Sequence, residues 1–269
     1  RAAGPNFTHL TINGTSEVLS NVQVRRALAL AIDRQTIVQA LLGPLDVPAE
    51  PLDNHIFMKN QQGYQDNTGD LGTHDPERAE ALLDEAGWTR AGEVRARDNK
   101  ELAIRFVIPS QVATAEQVAE LVQGMLARVG MRVDIEAVPA GDFFERYISP
   151  GNFDITAFSW LGTVFPISSS RSIYAQPRVG EDGALDIQQN YARVGSDEID
   201  RLFDEATSEF DEAKAIELAN RIDALVWQVV HSLTLYQRPE IVATKADLAN
   251  FGAFGFATGA YEDIGFVAS

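Results

Sequence analysis

Two apolar segments flank a long amphipathic helix between residues 101 and 139, and this pattern constrains the fold most strongly. The segments "ELAIRFVIP" (101–109) and "MRVDIEAVP" (131–139) are typical of strands, and "TAEQVAELVQGMLARVG" (114–130) repeats apolar residues at helical spacing. We expect a Thr-x-x-Gln capping box to start this helix and Gly130 to end it. Because the helix returns the chain across the sheet, the two strands are predicted to pair in parallel.

Further strands and helices alternate along the chain. Strands are predicted at 7–13, 153–160 and 233–244. Helices are predicted at 21–32, 34–43, 74–88, 140–149, 196–207 and 211–231. Long loops are predicted at 44–74 and 161–195. The strand "FDITAFSW" is apolar enough to be central, whereas Pro239 places the last strand near an edge. The predicted fold class is α/β, with a mixed, largely parallel sheet and helices on both faces.

Charge and composition exclude several classes of function. The 269 residues carry a net charge of −17, which argues against nucleic acid or an anionic membrane surface as a partner. The sequence has no cysteine, so thiolate chemistry and cysteine metal sites are excluded. It also lacks a nucleophile elbow and a phosphate-binding glycine loop, and its histidines do not stand at metal-ligand spacing. We therefore predict no cofactor, no metal ion and no catalytic residue.

Aromatic residues gather around the strand that ends at Trp160. They are Phe143, Phe144, Tyr147, Phe158, Trp160 and Phe165. Ligands of open α/β sheets bind at the carboxyl ends of strands, and tryptophan offers a large, flat apolar wall with one polar atom. We expect Phe144 and Phe158 to be core residues. Trp160 is open to two interpretations, as a cap on the core or as the wall of a binding site.

An ordered series of segments resembles a known family. The segments are "NVQVRRALALAIDRQTIVQALLG", "HDPERAEALLDEAGW", "VAELVQGMLARVGMRVDIEAV", "FDITAFSW", "SDEIDRLFDEAT" and "LTLYQ". In this order they resemble the extracytoplasmic solute-binding proteins of ABC importers, in the peptide/nickel class that includes the oligopeptide- and dipeptide-binding proteins. The resemblance extends over residues 7–238.

The resemblance implies one lobe of a two-lobed periplasmic-binding-protein type II fold. Residues 1–238 would form the second, C-terminal ligand-binding lobe, and the tail 239–269 would cross back to a first lobe that this sequence lacks. The protein would capture an oligopeptide-like solute by closure of the two lobes and deliver it to permease subunits in the membrane. It would be no enzyme, and it would be extracytoplasmic and lipid-anchored through a segment ahead of this sequence.

The candidate site lies around the end of the central strand. In peptide-binding members of the family, an Asp three residues after the Trp pairs with the ligand's ammonium group, but this chain has Thr163 there. The ligand is therefore either a peptide whose N-terminus is met elsewhere or a non-peptide solute such as a glycolipid or a sugar. Arg171 or Arg178 would meet an anionic group. The candidate ligand-binding residues are Trp160, Gly162, Thr163, Phe165, Ser159, Ser110 and Tyr236.

Two other classes of function stay open at this point. The same fold could serve an envelope regulatory protein that has no role in transport. A hydrolase would need paired carboxylates, and Asp142 and Asp154 are the acids expected near a strand end.

Overall fold

A five-stranded mixed sheet forms the centre of the structure, a computed structural model that describes residues 1–181 and 183–267. In spatial order its strands are β10 (Ser232–Glu240), β1 (Ala2–Ile12), β7 (Ile155–Leu161), β5 (Ala103–Pro109) and β6 (Arg132–Val138). Strand β5 pairs in parallel with β6, as predicted, and also with β7, while β1 is antiparallel to both of its neighbours. Within this sheet β1 runs against the other strands, which confirms the mixed, largely parallel arrangement. The edge position of β10 agrees with its Pro239.

Helices and short hairpins surround this sheet. The helices are α1 (Val22–Ala31), α2 (Arg34–Leu42), α3 (Pro76–Glu85), α4 (Ala113–Arg128), α5 (Pro166–Tyr174), α6 (Asp197–Ser208) and α7 (Glu212–Val229). The short strands are β2 (Thr89–Ala91), β3 (Val94–Arg97), β4 (Lys100–Glu101), β8 (Arg178–Val179), β9 (Leu185–Asp186), β11 (Leu248–Ala249) and β12 (Gly265–Phe266). Single turns of 3-10 or π-helix lie at Gly43–Leu45, Gly69–Gly72, Phe143–Ile148 and Tyr261–Asp263. None of the described helices combines the length and the apolarity that crossing a membrane requires.

Helices cover both faces of the sheet because alternate side chains of its strands are apolar on both faces. On the first face, Leu10 and Ala157 pack in one cluster with residues of α1, α2 and α4. On the second face, Trp160 packs against a cluster formed by α5, α6 and α7. Val107 and Phe158 on the same face pack against the π-helical turn. The predicted two-faced α/β layering is confirmed.

The start of α4 differs from the prediction. The residue before the helix is Val112, which makes no side-chain capping hydrogen bond, so the predicted capping box at Thr114 is wrong. Gln111 adopts a left-handed φ of 64°, and this turn starts the helix one residue ahead of Thr114. Other helices, such as α3 behind Asp75, do begin at a side chain that accepts a backbone N–H, as predicted.

Helix α5 lies inside the segment 161–195 that was predicted to be a loop. It starts with Pro166 and is rich in serine, a residue that favours helix ends over helix interiors. Its Ile173 and Tyr174 are buried in the cluster formed with α6 and α7. Tertiary packing therefore stabilises a helix that local propensity does not predict.

The tail after β10 lies partly against the amino end of β1. Gly255 N donates to the carboxylate of Glu240 at 2.7 Å, and Phe256 packs against Phe7 and Met58. Crossing of the tail 239–269 to another lobe stays a prediction, and residues 268 and 269 lie outside the described ranges.

A buried histidine–aspartate pair attaches the irregular segment 46–68 to α7. His55 Nδ1 lies 2.7 Å from Asp223 Oδ1, and both side chains are fully buried. The same oxygen accepts the backbone N–H of His55, and Asn67 donates to the other carboxylate oxygen at 2.7 Å. Tyr174 donates to the carbonyl of His55, and burial together with the Asp223 charge raises the pKa of this tyrosine. The network satisfies polar groups that would be costly to bury unpaired.

We predict that the free energy of unfolding decreases as the pH is lowered from 6.5 towards 3. Burial lowers the pKa of His9 from 6.5 to about 3 and that of His231 well below its usual value. Below pH 6.5 the unfolded chain therefore binds protons that the folded chain does not. Each such histidine costs about 1.4 kcal/mol per pH unit.

Urea unfolding of the His9→Gln variant between pH 6 and pH 4 checks this. As the pH is lowered, the free energy of unfolding of this variant should fall less steeply than that of the wild type, by about 1.4 kcal/mol per pH unit. Equal slopes for His9→Gln and the wild type would contradict the prediction.

Candidate functional site

One edge of the sheet combines the carboxyl ends of β5, β7 and β10 with the amino end of β1. The chain leaves β5 to form α4 on the first face, and it leaves β7 to form α5 on the second face. Adjacent parallel strands whose connections leave to opposite faces open a crevice between them, and ligands of α/β proteins bind in such crevices. The candidate residues Ser159, Trp160, Gly162 and Thr163 lie at this edge.

The indole of Trp160 is half-buried and lines a cavity of about 280 Å³, here called the Trp160 cavity. Its other walls come from the irregular segment and from the residues after β7. They include Phe7, His55, Ile56, Met58, Gly162, Thr163 and Ser169. The indole is therefore not sealed inside the core.

Aromatic neighbours hold the indole of Trp160 in one orientation. Tyr191 stacks on it with ring centroids 5.8 Å apart and an interplanar angle of 4°. Phe158 meets it edge-on at 5.1 Å, and Phe144 in turn meets Phe158 at 5.3 Å. Such offset and edge-on contacts stabilise aromatic pairs beyond the area they bury. The array presents a rigid apolar wall along this edge of the sheet.

Gly162 and Thr163 shape the turn between β7 and α5. Gly162 N donates to the carbonyl of Pro5 at 2.7 Å, and a Cβ on Gly162 would lie 2.4 Å from that oxygen. The hydroxyl of Thr163 accepts the N–H of Phe165 at 3.1 Å and bonds Ser169 Oγ at 3.0 Å. Thr163 thus orders the start of α5 with an uncharged side chain.

Phe165 lies on a neighbouring groove of about 720 Å³, here called the outer groove. Its side chain is 73% exposed. The groove is lined in part by Gln61, Val164, Phe165, Pro166, Glu209, Phe210, Glu212 and Phe256. Pro166 lines both the outer groove and the Trp160 cavity, so the two spaces adjoin.

Ser159 and Tyr236 line a third space of about 380 Å³, here called the edge cavity. Its lining is Thr8, Pro109, Val112, Thr114, Ala115, Val118, Ala140, Phe143, Phe144, Ala157, Phe158, Ser159, Tyr236 and Arg238. Phe144 is 44% exposed here, so its expected place in the core is wrong, because the π-helical turn buries Phe143 instead. Phe158 is half-buried.

The remaining candidates lie elsewhere or have other partners. Ser110 donates its backbone N–H to Val138 at 2.7 Å and lines none of these three spaces. Arg171 and Arg178 form ion pairs with carboxylates of α6, at 2.5 Å and 2.7 Å respectively. They are therefore already neutralised.

The carboxylate pair that a hydrolase would need does not form. Asp154 precedes β7 at the amino edge of the sheet, whereas Asp142 follows β6 at the carboxyl edge. Over residues 1–181 and 183–267, no three His, Asp or Glu side chains are grouped to hold a metal ion.

Arg238 is the residue that sequence reasoning missed. It follows Tyr236 by two positions in β10 and lines the edge cavity with it. The spacing of two positions indicates that the two side chains lie on the same face of the strand. An arginine next to a proline near a strand end gave no further reason to select it as a site residue.

The sequence matches a family model over most of its length. Residues 1–181 match the model described as the middle part of the bacterial extracellular solute-binding proteins, family 5. The oligopeptide-binding protein OppA of Mycobacterium tuberculosis is 39% identical over 268 residues, which cover 99% of this chain and 44% of that protein. The chain thus spans less than half the length of this curated relative.

Solved structures share the fold at low sequence identity. The periplasmic EDTA-binding protein EppA superimposes with a TM-score of 0.77 at 24% identity, covering 87% of this chain and 43% of that one. DppA of Helicobacter pylori, solved in complex with the peptide STSA, gives a TM-score of 0.76 at 18% identity, over 96% of this chain and 46% of that one. These similarities confirm the expected type II periplasmic-binding-protein fold.

We predict that Gly162→Ala destabilises the protein by about 1–3 kcal/mol, because the new methyl group would overlap the Pro5 carbonyl. Gly141→Ala is the matched control, since a Cβ there meets nothing within 4 Å. Urea unfolding measures both changes. Equal stability of the two variants would show that the turn after β7 is not packed against β1 as described.

Proposed function

The chain belongs to family 5 of the bacterial extracellular solute-binding proteins, and from that premise we propose that it captures an oligopeptide-like solute for an ABC importer. In this proposal the solute is held between this lobe and a second lobe and is then delivered to permease subunits in the membrane. The observation that carries the proposal is the half-buried, aromatic-braced Trp160 beside an open cavity at the carboxyl edge of the sheet.

The position of β1 and β10 supports closure of a second lobe over this edge. Ala2 pairs with Glu240, so β1 begins and β10 ends side by side, close to Arg238 in the lining of the edge cavity. A first lobe connected through these two strands would close over the edge as a hinged domain. Closure would bury the exposed faces of Trp160 and Phe165 against the solute, and this added contact would favour the closed state.

The chemistry of Thr163 bears on the class of solute. A threonine hydroxyl can accept a hydrogen bond from an ammonium group but cannot neutralise its charge, and an unpaired buried charge is costly. We therefore propose a peptide whose N-terminus is met outside the Trp160 cavity. The neutral Thr163 also favours a second candidate, a non-peptide solute such as a glycolipid or a sugar.

Three further parts of the proposal concern the whole protein. We place it outside the cytoplasm, as the family description implies, with a lipid anchor ahead of this sequence. We propose that residues 239–269 complete the other lobe. We also propose that the protein breaks no covalent bond, in keeping with relatives that are named for binding and transport.

Native mass spectrometry of the natural-length protein, purified from its own host, tests the proposed function. A co-purifying mixture of short peptides supports the peptide proposal. A bound lipid or glycan would replace it with the second candidate.

We predict that Thr163→Asp and Thr163→Asn show the same preference for peptides with a free N-terminus, because in the proposed complex the ammonium group lies outside the Trp160 cavity that Thr163 lines. Thr163→Asn is the matched control, with nearly the same shape and no charge. Calorimetry with a peptide and its N-acetylated form measures the preference. A preference at least about 10-fold higher in Thr163→Asp would contradict the proposal, because a carboxylate at this position pairs with an ammonium group only if that group lies near this turn.

A further inference from the structure

The edge cavity differs from the rest of the molecular surface in its charge. The chain has 39 acidic and 22 basic residues, yet no carboxylate of the described residues lines this cavity. Arg238 is its charged lining residue. The cavity is therefore locally positive on a protein of strongly negative net charge, a difference that favours an anionic group.

Arg238 is available to a ligand. Its side chain is exposed, and among the described residues its guanidinium group makes no hydrogen bond and no ion pair. Most arginines of this chain have a carboxylate or carbonyl partner, as Arg34 has in Asp53 and Arg25 in the Val229 carbonyl. An arginine fork without a partner suits the two oxygens of a carboxylate.

Hydroxyl groups line the cavity beside Arg238. Tyr236 is 6% exposed, and its hydroxyl has no hydrogen-bond partner among the described residues. Thr8 Oγ1 and Ser159 Oγ lie 2.9 Å apart and share one hydrogen bond. In such a pair one hydroxyl donates to the other, so the second hydroxyl proton remains free to donate to a ligand.

The amino end of α4 adds a further positive contribution. Val112, Thr114 and Ala115 line the cavity, and no side chain caps this helix. The first N–H groups of an α-helix have no partner within the helix and carry a partial positive charge. The amino end of this 16-residue helix therefore adds to the positive electrostatic potential that Arg238 creates in the cavity.

The remaining wall of the edge cavity is apolar. Phe143, Phe144 and Phe158 line it, and Phe158 meets the ring of Trp160 edge-on. A solute bound along the aromatic array would thus place one end at Trp160 and another at Arg238. The volume of about 380 Å³ is that of a small ligand group, within the usual range of pockets.

We propose that the edge cavity is a carboxylate subsite, in which Arg238, Tyr236 and the Thr8–Ser159 hydroxyl pair bind the anionic end of the solute while the phenylalanines hold the adjoining apolar group. The inference rests on the proposed function and names the solute class as one with a carboxylate. In a peptide this carboxylate is either the C-terminus or an acidic side chain.

The test compares three tripeptide libraries on the natural-length protein. The first library has free C-terminal carboxylates, the second has C-terminal amides, and the third has amides with one glutamate side chain. The proteins are the wild type, Arg238→Gln, Tyr236→Phe and the control Arg128→Gln. Arg128 lies at the far end of α4, and its guanidinium group likewise makes no hydrogen bond or ion pair with the described residues. Its substitution changes the net charge by the same amount.

The wild type should retain carboxylate peptides in preference to plain amides. Arg238→Gln should weaken their binding by about 10- to 100-fold, the loss expected for a charge-assisted hydrogen bond, and should leave the amides unchanged. Tyr236→Phe should weaken the same peptides by a smaller factor, and Arg128→Gln should behave as the wild type. Retention of the first library identifies the C-terminus as the group bound, and retention of the third identifies an acidic side chain.

Two results distinguish failure of this inference from failure of the proposed function. If the wild type retains acids and amides equally, or if Arg238→Gln and Arg128→Gln act alike, the carboxylate subsite is overturned while peptide capture stands. If no peptide is retained at all, the peptide function fails. Titration with 3-phenylpropanoate, followed by NMR, then tests the carboxylate subsite by itself. The subsite predicts shifts of the Tyr236 signals in the wild type that are absent in Arg238→Gln.

Discussion

The buried hydrogen bond between His55 and Asp223 holds one wall of the candidate site in place. It attaches the irregular segment 46–68 to α7, and this segment supplies the wall that faces Trp160 across the cavity. A buried, hydrogen-bonded polar pair of this kind contributes little net stability compared with apolar packing, but removal of one partner leaves a buried polar group without its hydrogen bond. The pair therefore acts mainly to fix one arrangement of a segment that has hardly any regular structure. The wall of the Trp160 cavity opposite the indole therefore depends on this His55–Asp223 pair.

Charge is distributed unevenly over the edge where the proposed solute binds. The turn after β7 carries the neutral Thr163, while the far side of the aromatic array ends at Arg238. The two features together favour a solute that is recognised by its anionic end and by apolar contact along the rings. Electrostatic attraction at one end also orients a ligand before a hinged partner closes over it. The proposed site would thus combine apolar contact along the rings with polar recognition of the anionic end around Arg238.

The sequence predicted the layers of the fold better than it predicted the site. Strand, helix and strand from 101 to 139 gave the parallel pair because apolar periodicity is a local property. Helix α5 escaped prediction because its serines favour helix ends, and only packing against α6 and α7 stabilises it. Trp160 and Gly162 could be selected from their place after a buried strand. Arg238 could not, because its significance depends on a cavity that five separate segments form, and in which none of the described residues contributes a carboxylate.

Tryptophan-selective NMR of the natural-length protein gives the sharpest test of the proposal that Trp160 forms an open wall of the solute site. The chain has three tryptophans, and Trp88 and Trp227 are internal controls because they are only 3% and 1% exposed. We predict that the Trp160 indole signal shifts when the solute that co-purifies with the protein is added back to saturation. The indole signals of Trp88 and Trp227 should stay unchanged. Saturating binding without a change of the Trp160 indole signal would contradict the proposed role of Trp160 in the solute site.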